Sequence, residues 1–550
     1  MNKITITFSN GKIITKEKPC KVGDLLNYFK IDREKIVGVK VSNQVCSLSQ
    51  QITNNVYIEP VLINTSDGSA MYRRSLCFIL ALATHNLYPS KNLVVGHSLG
   101  HGYYYTFDGE NSVSQELLDA INIKMQEIVA EDKEITQDYI SYSDGIELFD
   151  KLGMKETRKQ LSYICPPRIR INTLDNFSDL YFAPLVPSTR YLKYFELLKY
   201  KEGFLLRFPA TQTPTVIQPF EDIPELFNVY KKYKDWGKRV GVTSAASLNE
   251  MLFTGKMNDF IDITETLQNK YIADIATMIA HKKETKLVLI AGPSSSGKTT
   301  TSKKLGMQLR ALGHTPRLIS MDYYYVGRED TPIDKNGKFD YECLEALDIK
   351  QLNKDLINLF DGKTVEIPRY NFEKGARYYN GDKITLQESD ILILEGIHGL
   401  NEKLTPLVKP ENKFKIYLSA LTQLNLDDHN RIPTSDNRLI RRIVRDYNFR
   451  GKTAAQTINM WPSVHNGERL HIFPFQNNAD VMLNTALDYE LAVLKVYAEP
   501  LLRCVNPLMP EYSEACRLLR FLDNFPEISE VNVPSHSLLR EFIGGSAFKY

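Results

Sequence analysis

Apolar and polar positions alternate through Ile4-Thr5-Ile6-Thr7-Phe8, the period-two signature of a half-buried strand. Ser9-Asn10-Gly11-Lys12 supplies a hairpin turn into Ile13-Ile14. Val22, Leu25, Leu26 and Phe29 then recur at helical spacing, and the runs 36–41 and 51–58 read as two further strands. Residues 1–62 therefore predict a compact sheet with one helix. A helical run over 73–87, stopped by Pro89, falls in a second unit spanning 63–220. Its aromatic-rich segments, Tyr103-Tyr104-Tyr105 and 191–206, suit the strands of an α+β domain. Over 221–283 the spacing of Leu248, Met251, Leu252, Ile261 and Ile263 predicts a helical bridge. Beyond it the texture changes. Strand-sized apolar runs at 286–291, 317–321, 391–394, 414–418 and 481–483 alternate with helical stretches such as 299–312, which Gly313 closes. Residues 284–500 thus predict an α/β domain with a mostly parallel sheet and helices on both faces. The stretch 501–550 reads as a helical C-terminal extension, its Gly544-Gly545-Ser546 suiting a loop folded over the preceding domain.

Composition changes this picture little. The 550 residues exceed what one hydrophobic core organises, in line with several domains. Apolar content of 43% and charged content of 24% are ordinary for a globular protein. No apolar run reaches membrane-spanning length and the first residues form no apolar signal region, so a cytoplasmic protein without a membrane partner is expected. Seven scattered cysteines offer neither a Cys-x-x-Cys metal knuckle nor a disulfide framework. A net charge of +2 provides no global field for nucleic acid.

The chemistry concentrates in the α/β region. Gly292-Pro293-Ser294-Ser295-Ser296-Gly297-Lys298-Thr299 is a Gly-x-x-x-x-Gly-Lys-Thr loop between an apolar strand and an amphipathic helix, and Thr300 completes the phosphate-binding set. Its backbone N–H groups and the helix N-terminus suit nucleotide phosphates, so ATP is the expected ligand. Lys298 reaches the β/γ oxygens and Thr299 offers a hydroxyl for Mg²⁺. Asp322, at the end of the next strand, stands where an α/β sheet gathers ligand groups and could accept a proton from an attacking hydroxyl. Arg438, Arg441, Arg442 and Arg445 fall on one helical stripe with no matching acidic stripe, which suits phosphate oxygens.

At this point the sequence resembles the uridine kinase and phosphoribulokinase family of P-loop enzymes. The resemblance runs through the loop, Asp322 to Tyr325, Phe339-Asp340, Pro368-Arg369-Tyr370-Asn371-Phe372, Leu394-Glu395-Gly396, and the arginine segment ending Arg445-Asp446 with Arg450-Gly451. It implies Asp322 as general base, Asp340 holding ribose hydroxyls, Phe339 with them, and Tyr370 with Phe372 lining a nucleobase pocket. Glu395 would lie near the metal. Arg441, Arg442 and Arg445 would sit in a mobile lid over the transferring phosphate, with Arg438 near the acceptor. Related kinases carry a base-reading histidine at the place of Gly375, so relaxed base choice is expected.

Residues 1–62 resemble a TGS domain, and 63–220 resemble the editing domain that follows it in threonyl-tRNA synthetases, through Leu87-Tyr88-Pro89, Gly102-Tyr103-Tyr104-Tyr105 and Asp179-Leu180. That editing chemistry needs three histidines and a cysteine, and their places hold Arg74, Phe78, Tyr181 and Leu185. A catalytically retired domain is expected. His97 and His101 have His-x-x-x-His spacing but lie in a loop or strand, where the gap does not bring side chains together, so ordinary loop or surface histidines are expected. The leading reading is ATP-dependent phosphorylation of a nucleoside 5′-hydroxyl, uridine or cytidine first, by a homo-oligomer whose front half regulates or binds RNA or another partner. Two alternatives are a kinase for a sugar phosphate or other small alcohol, and a tRNA-responsive binding protein whose ATP site only senses.

Overall fold

The computed structural model describes residues 3–334, 337, 339–371 and 374–549. At the front, five strands pair in the order Ile13–Glu17, Lys3–Phe8, Val56–Leu62, Ile36–Val41 and Gln44–Cys46. Alternation in the first strand buries Ile4, Ile6 and Phe8 against Val22, Leu25, Leu26 and Phe29 of the 3₁₀ helix Val22–Phe29. The expected strand over 51–58 divides. Gln51–Ile52 pairs with Cys20–Lys21, and Val56–Leu62 enters the main sheet, because the intervening Asn54-Asn55 turns the chain.

The second unit opens with the helix Ser66–Leu87, seven residues earlier than its apolar spacing indicates, since the Thr65 side chain caps it by accepting from the Gly68 N–H. Two antiparallel sheets, of four and three strands, pack with that helix. Helices Pro224–Val240, Ala245–Phe253 and Met257–His281 form the bridge.

The α/β unit carries a five-stranded parallel sheet. Its elements in chain order are β1 (Leu287–Ala291), α1 (Lys298–Ala311), β2 (Thr315–Ser320), β3 (Asp390–Glu395), β4 (Lys413–Ser419), α2 (Thr434–Arg450), α3 (Ala454–His471), β5 (Val481–Asn484) and α4 (Glu490–Arg503). The strand order is β2-β3-β1-β4-β5, all pairs parallel, with Leu287 level with Leu392 and Lys413. One face of β1, Val288 and Ile290, meets Leu305 and Leu309 of α1 and Ile272, Ile275 and Ile279 of the last bridge helix. The other, Leu287 and Leu289, meets Leu352, Leu356 and Leu359 of a helix spanning Ile349–Phe360. Burial on both faces explains why these strands read as unbroken apolar runs.

Bridge and C-terminus share one core. Val242, Leu248, Phe260 and Ile261 pack in the same cluster as Leu439, Ile440 and Ile443 of α2 and Leu518, Leu538 and Phe542 near the chain end. Across it, the Asn524 carbonyl accepts from Gln160 Nε2 at 2.6 Å and Asn249 Nδ2 at 3.3 Å. Among the described residues, no helix is long and apolar enough to cross a membrane, and no group of three or more His, Cys, Asp or Glu side chains could hold a metal ion.

Candidate active site

The loop after β1 turns where the chain leaves the central strand. Gly292 is required by space, because a Cβ there would stand 2.5 Å from the Leu418 carbonyl oxygen. Ser295 (φ +59°) and Gly297 (φ +79°) adopt left-handed backbone, which bends the loop around its own N–H groups. The loop's carbonyls are held from behind. Arg438 Nε donates to the Ser294 carbonyl at 2.8 Å, Arg441 Nη1 to that of Ser295 at 3.2 Å, and Thr485 Oγ1 to that of Ser296 at 2.7 Å. Arg442 Nη1 donates to Ser294 Oγ at 2.8 Å, and Glu468 Oε1 accepts from the Ser294 N–H at 3.2 Å. Inside the loop, the buried hydroxyls of Ser295 and Ser296 have no hydrogen-bond partner among the described residues. A polyanion rich in acceptors fits that cradle, and the residues present therefore suit the phosphates of ATP.

This arrangement corrects the expectation of an unpaired arginine stripe in a mobile lid. Arg438 lies against Glu468 of α3, with Nη1 donating to Oε2 at 3.1 Å, and it faces the ring of Trp461. Arg441 is fully buried, its Nε donating to Glu490 Oε2 of α4 at 3.1 Å. Arg442 and Arg445 share the buried Asp446, at 3.3 and 2.8 Å. The helix α2 is packed in the main core, and acids from α3 and α4 neutralise the two deepest guanidiniums, since an unpaired buried charge would be far more costly.

Lys298 opens α1, its Nζ donating to the carbonyls of Gly292 at 2.9 Å and Pro293 at 3.1 Å. Burial holds its pKa below the usual lysine value, with Glu395, Asp322 and Glu541 opposing. Asp322 lies in the 3₁₀ turn Met321–Tyr324 after β2, its N–H donating to Ser320 Oγ at 3.3 Å. The side chain reaches solvent, yet the crowded walls strip away enough water to push its carboxyl up, against the pull of Lys298, Arg450 and Arg445. Asp322 thus feels the charge of the loop lysine and of Arg450 and Arg445 together. Glu395 ends β3, where Oε1 accepts from Ser320 Oγ at 3.1 Å and Thr299 Oγ1 at 3.5 Å. Burial and Asp322 push it up to about 7, with Lys298 opposing. A hydroxyl beside a carboxylate suits Mg²⁺, which keeps several waters and takes only one or two protein ligands with substrate phosphates.

On the acceptor side, Asp340 Oδ1 accepts from the Glu342 N–H at 3.0 Å, and His471 Nε2 stands 4.0 Å from Oδ2. Tyr370 lies 5.6 Å from Tyr325 between ring centres, Tyr325 lies 6.5 Å from Tyr341, and Tyr341 lies 6.0 Å from the half-exposed Phe339. Together these rings form an aromatic rim near Asp340. Phe372 lies outside the described residues. Gly375 has left-handed backbone (φ +64°), and a Cβ there would stand 2.8 Å from Arg328 Nε, so arginine packs where a side chain would project. The Arg328 N–H also donates to the Gly375 carbonyl at 2.9 Å.

Sequence reasoning missed Glu342, Glu468, Glu490, Tyr341, Arg328 and Glu541. Glu342 is pushed up to about 7 by burial and Glu468, with Arg442 and Lys298 opposing. Gly467 of α3 makes room for it, since a Cβ there would collide with the Glu342 side chain.

In the front half, three of the four expected places of editing residues are apolar core. Phe78, Tyr181 and Leu185 are buried together, the first two rings 6.0 Å apart, and Arg74 Nη2 donates to the Pro184 carbonyl at 2.9 Å. His97 lies in a strand rather than a loop, buried and stacked on Tyr230, and burial pushes it down to about 3. The loop between β4 and α2 docks into this half. His429 Nδ1 stands 2.9 Å from Asp179 Oδ2, and Asp428 Oδ2 accepts from the Thr157 N–H and hydroxyl at 2.8 and 3.0 Å. Asn425 and Asn430 donate to the carbonyls of Val95 and Leu180.

The phosphoribulokinase / uridine kinase family model matches residues 287–492. A uridine kinase of Macrococcus caseolyticus is 32% identical over 205 residues, covering 36% of this chain and 88% of its own length. A threonine–tRNA ligase of Lawsonia intracellularis is 30% identical over 199 residues, covering 36% of this chain, and the present chain spans only 30% of that relative. A solved structure, of a possible uridine kinase from Bacillus stearothermophilus, aligns over 36% of this chain and 89% of its own at 19% identity and a TM-score of 0.25.

Proposed function

The chain belongs to the phosphoribulokinase / uridine kinase family of ATP-dependent kinases acting on small alcohols, and on that premise we propose that its acceptor is the 5′-hydroxyl of a nucleoside, with broad tolerance for the base. One observation carries this reading: Asp322 follows β2 and its N–H donates to Ser320 Oγ, which donates to the same Glu395 oxygen that accepts from Thr299 of the phosphate loop. A hydroxyl delivered there loses its proton to the Asp322 carboxylate as its oxygen bonds the γ-phosphorus. The bond from that phosphorus to the β,γ-bridging oxygen breaks, and ADP leaves with the electron pair. Lys298 and Arg445 offset the charge that gathers on the phosphoryl and bridging oxygens. When bound between Thr299 and Glu395, Mg²⁺ would supply further charge neutralisation. Asp340 suits two ribose hydroxyls, and the rim of Tyr325, Tyr341 and Tyr370 suits a stacked base.

Base tolerance follows from Gly375, which offers no side-chain donor, so shape and stacking dominate over hydrogen bonds worth about 0.5–1.5 kcal/mol each. The deciding measurement is ADP release by the full chain with ATP and each ribonucleoside, beside a panel of sugar phosphates. Uridine and cytidine should be turned over, with the ribonucleosides within about tenfold in kcat/KM. Turnover of sugar phosphates alone would overturn the nucleoside reading, and a preference above about a hundredfold for one base would assign base readout to another group, Arg328 first.

The front half, by this proposal, neither edits tRNA nor binds zinc, and serves to hold the segment that precedes the arginine helix.

A further inference from the structure

The chain's last helical turn reaches the phosphate loop. Glu541 Oε2 accepts from the Thr300 N–H at 3.2 Å and from Thr300 Oγ1 at 2.6 Å. Thr300 is the third residue of α1, so these donors belong to the helix end that the loop directs at nucleotide phosphate. The neighbouring Leu538 covers the loop's last glycine, a Cβ on Gly297 standing 2.7 Å from its Cδ2. The segment is firmly seated. Leu538 and Phe542 are fully buried, the Phe542 ring lies 5.1 Å from the Arg441 guanidinium, and the Phe542 carbonyl accepts from Asn448 Nδ2 of α2 at 3.0 Å. Glu541 is itself half-buried, and its charge is felt at Lys298 and Lys303.

We propose that Glu541 is an internal competitor for nucleotide phosphate, its carboxylate taking the donors at the start of the phosphate-loop helix and swinging out before ATP seats. The proposal deepens the kinase reading and rests on it. Two anionic groups cannot share one N–H and one hydroxyl, and like charges at that distance repel in a partly desolvated site. Because the flanking side chains are anchored in the core, release requires rotation of one side chain rather than departure of the segment. If the carboxylate is seated roughly nine-tenths of the time, apparent affinity falls about tenfold, in proportion to the competent fraction. A cap serving only to end the helix would behave otherwise, adding stability without opposing nucleotide.

Calorimetric titration of the full chain with MgATP separates these cases. Glu541→Gln keeps size and one acceptor but removes the charge, and Glu541→Asp keeps the charge but draws it back by one methylene. Both should bind MgATP about tenfold tighter than the parent, with KM for ATP falling in parallel. Unchanged or weaker binding by a folded Glu541→Gln variant would overturn the proposal while leaving the kinase reading intact. Absence of MgATP binding in parent and variants alike would overturn the kinase reading, and this proposal with it.

Discussion

Lys298 carries two duties that pull in opposite directions. Buried, it disfavours its own charge, and it is tied to two loop carbonyls that a bound phosphate would displace. Lys298→Ala removes the one side-chain cation inside the loop, so kcat/KM should fall by about 10³-fold with the melting temperature little changed. Near-parental turnover would show that the loop does not handle transferring phosphate. Asp322→Asn preserves shape and keeps Lys298 in place, so MgATP should still bind while kcat drops by about 10²–10⁴-fold. A single-turnover assay read beside a binding titration distinguishes that outcome from a collapsed site. At this scale the sequence was informative wherever chemistry depends on neighbours along the chain. The glycines, Lys298 and Thr299 form one contiguous word, and Asp322 sits at a strand end that hydropathy alone marks. Glu541, 241 residues from Thr300, had no such word around it.

The arginine helix shows what spacing can and cannot say. Its i, i+3, i+4, i+7 stripe predicts a common face, and that face exists, but the acids answering it lie 30 and 49 residues further along, on α3 and α4. Only Asp446 was visible within the helix itself. The stripe is consequently divided by depth: Arg438 and Arg441 brace the phosphate loop from beneath, while Arg445, less deeply set, pairs with Asp446. Arg441→Ala would strand Glu490 as a buried, unpaired carboxylate, and should lower stability by about 3–5 kcal/mol. Replacing both partners, Arg441→Met with Glu490→Leu, should recover most of that loss while activity stays low, because nothing then holds the Ser295 carbonyl. Chemical denaturation of the two variants, with parallel ATP turnover, checks both halves of the expectation.

Between the two halves of the molecule the decisive contact is ionic and buried. Asp179, Asp428 and Asp427 surround His429 and push its pKa up to about 9, overcoming the burial that alone would lower it, and His85 is the nearby second imidazole. A histidine raised in the folded state stabilises most where both states are protonated, below about 6.5, and loses that contribution as pH rises through about 9. Asp427, pushed up to about 7 chiefly by burial, changes stability in the same direction over its own range. The difference in unfolding free energy between the parent and His429→Gln should therefore be largest near pH 6 and shrink by on the order of 2–4 kcal/mol towards pH 9. A difference independent of pH would mean that the imidazole is neutral in the folded protein. Asp179 stood out in the sequence only as part of a family resemblance, and its partner could not be read because it comes from a loop 250 residues later. The strands and helices within each half, by contrast, were legible, since sheet and helix periodicities act over short stretches.

The core shared by bridge and C-terminus also bears on how the chain is made. Asn249 meets Asn524 across 275 residues, and Leu248, Phe260 and Ile261 share one core cluster with residues from Leu424 to Ile543. At roughly 5–20 residues per second on the ribosome, those bridge helices emerge on the order of 15 to 60 seconds before the residues that will cover them. Until the residues near 524 emerge the front domains can complete themselves, while the part of the bridge around Leu248 and Ile261 lacks its C-terminal cover and the phosphate loop lacks its C-terminal strap. Synthesis therefore leaves a nascent chain with finished front sheets and an open α/β half, a species that chaperones which grip exposed apolar helices should hold until the C-terminal segment arrives.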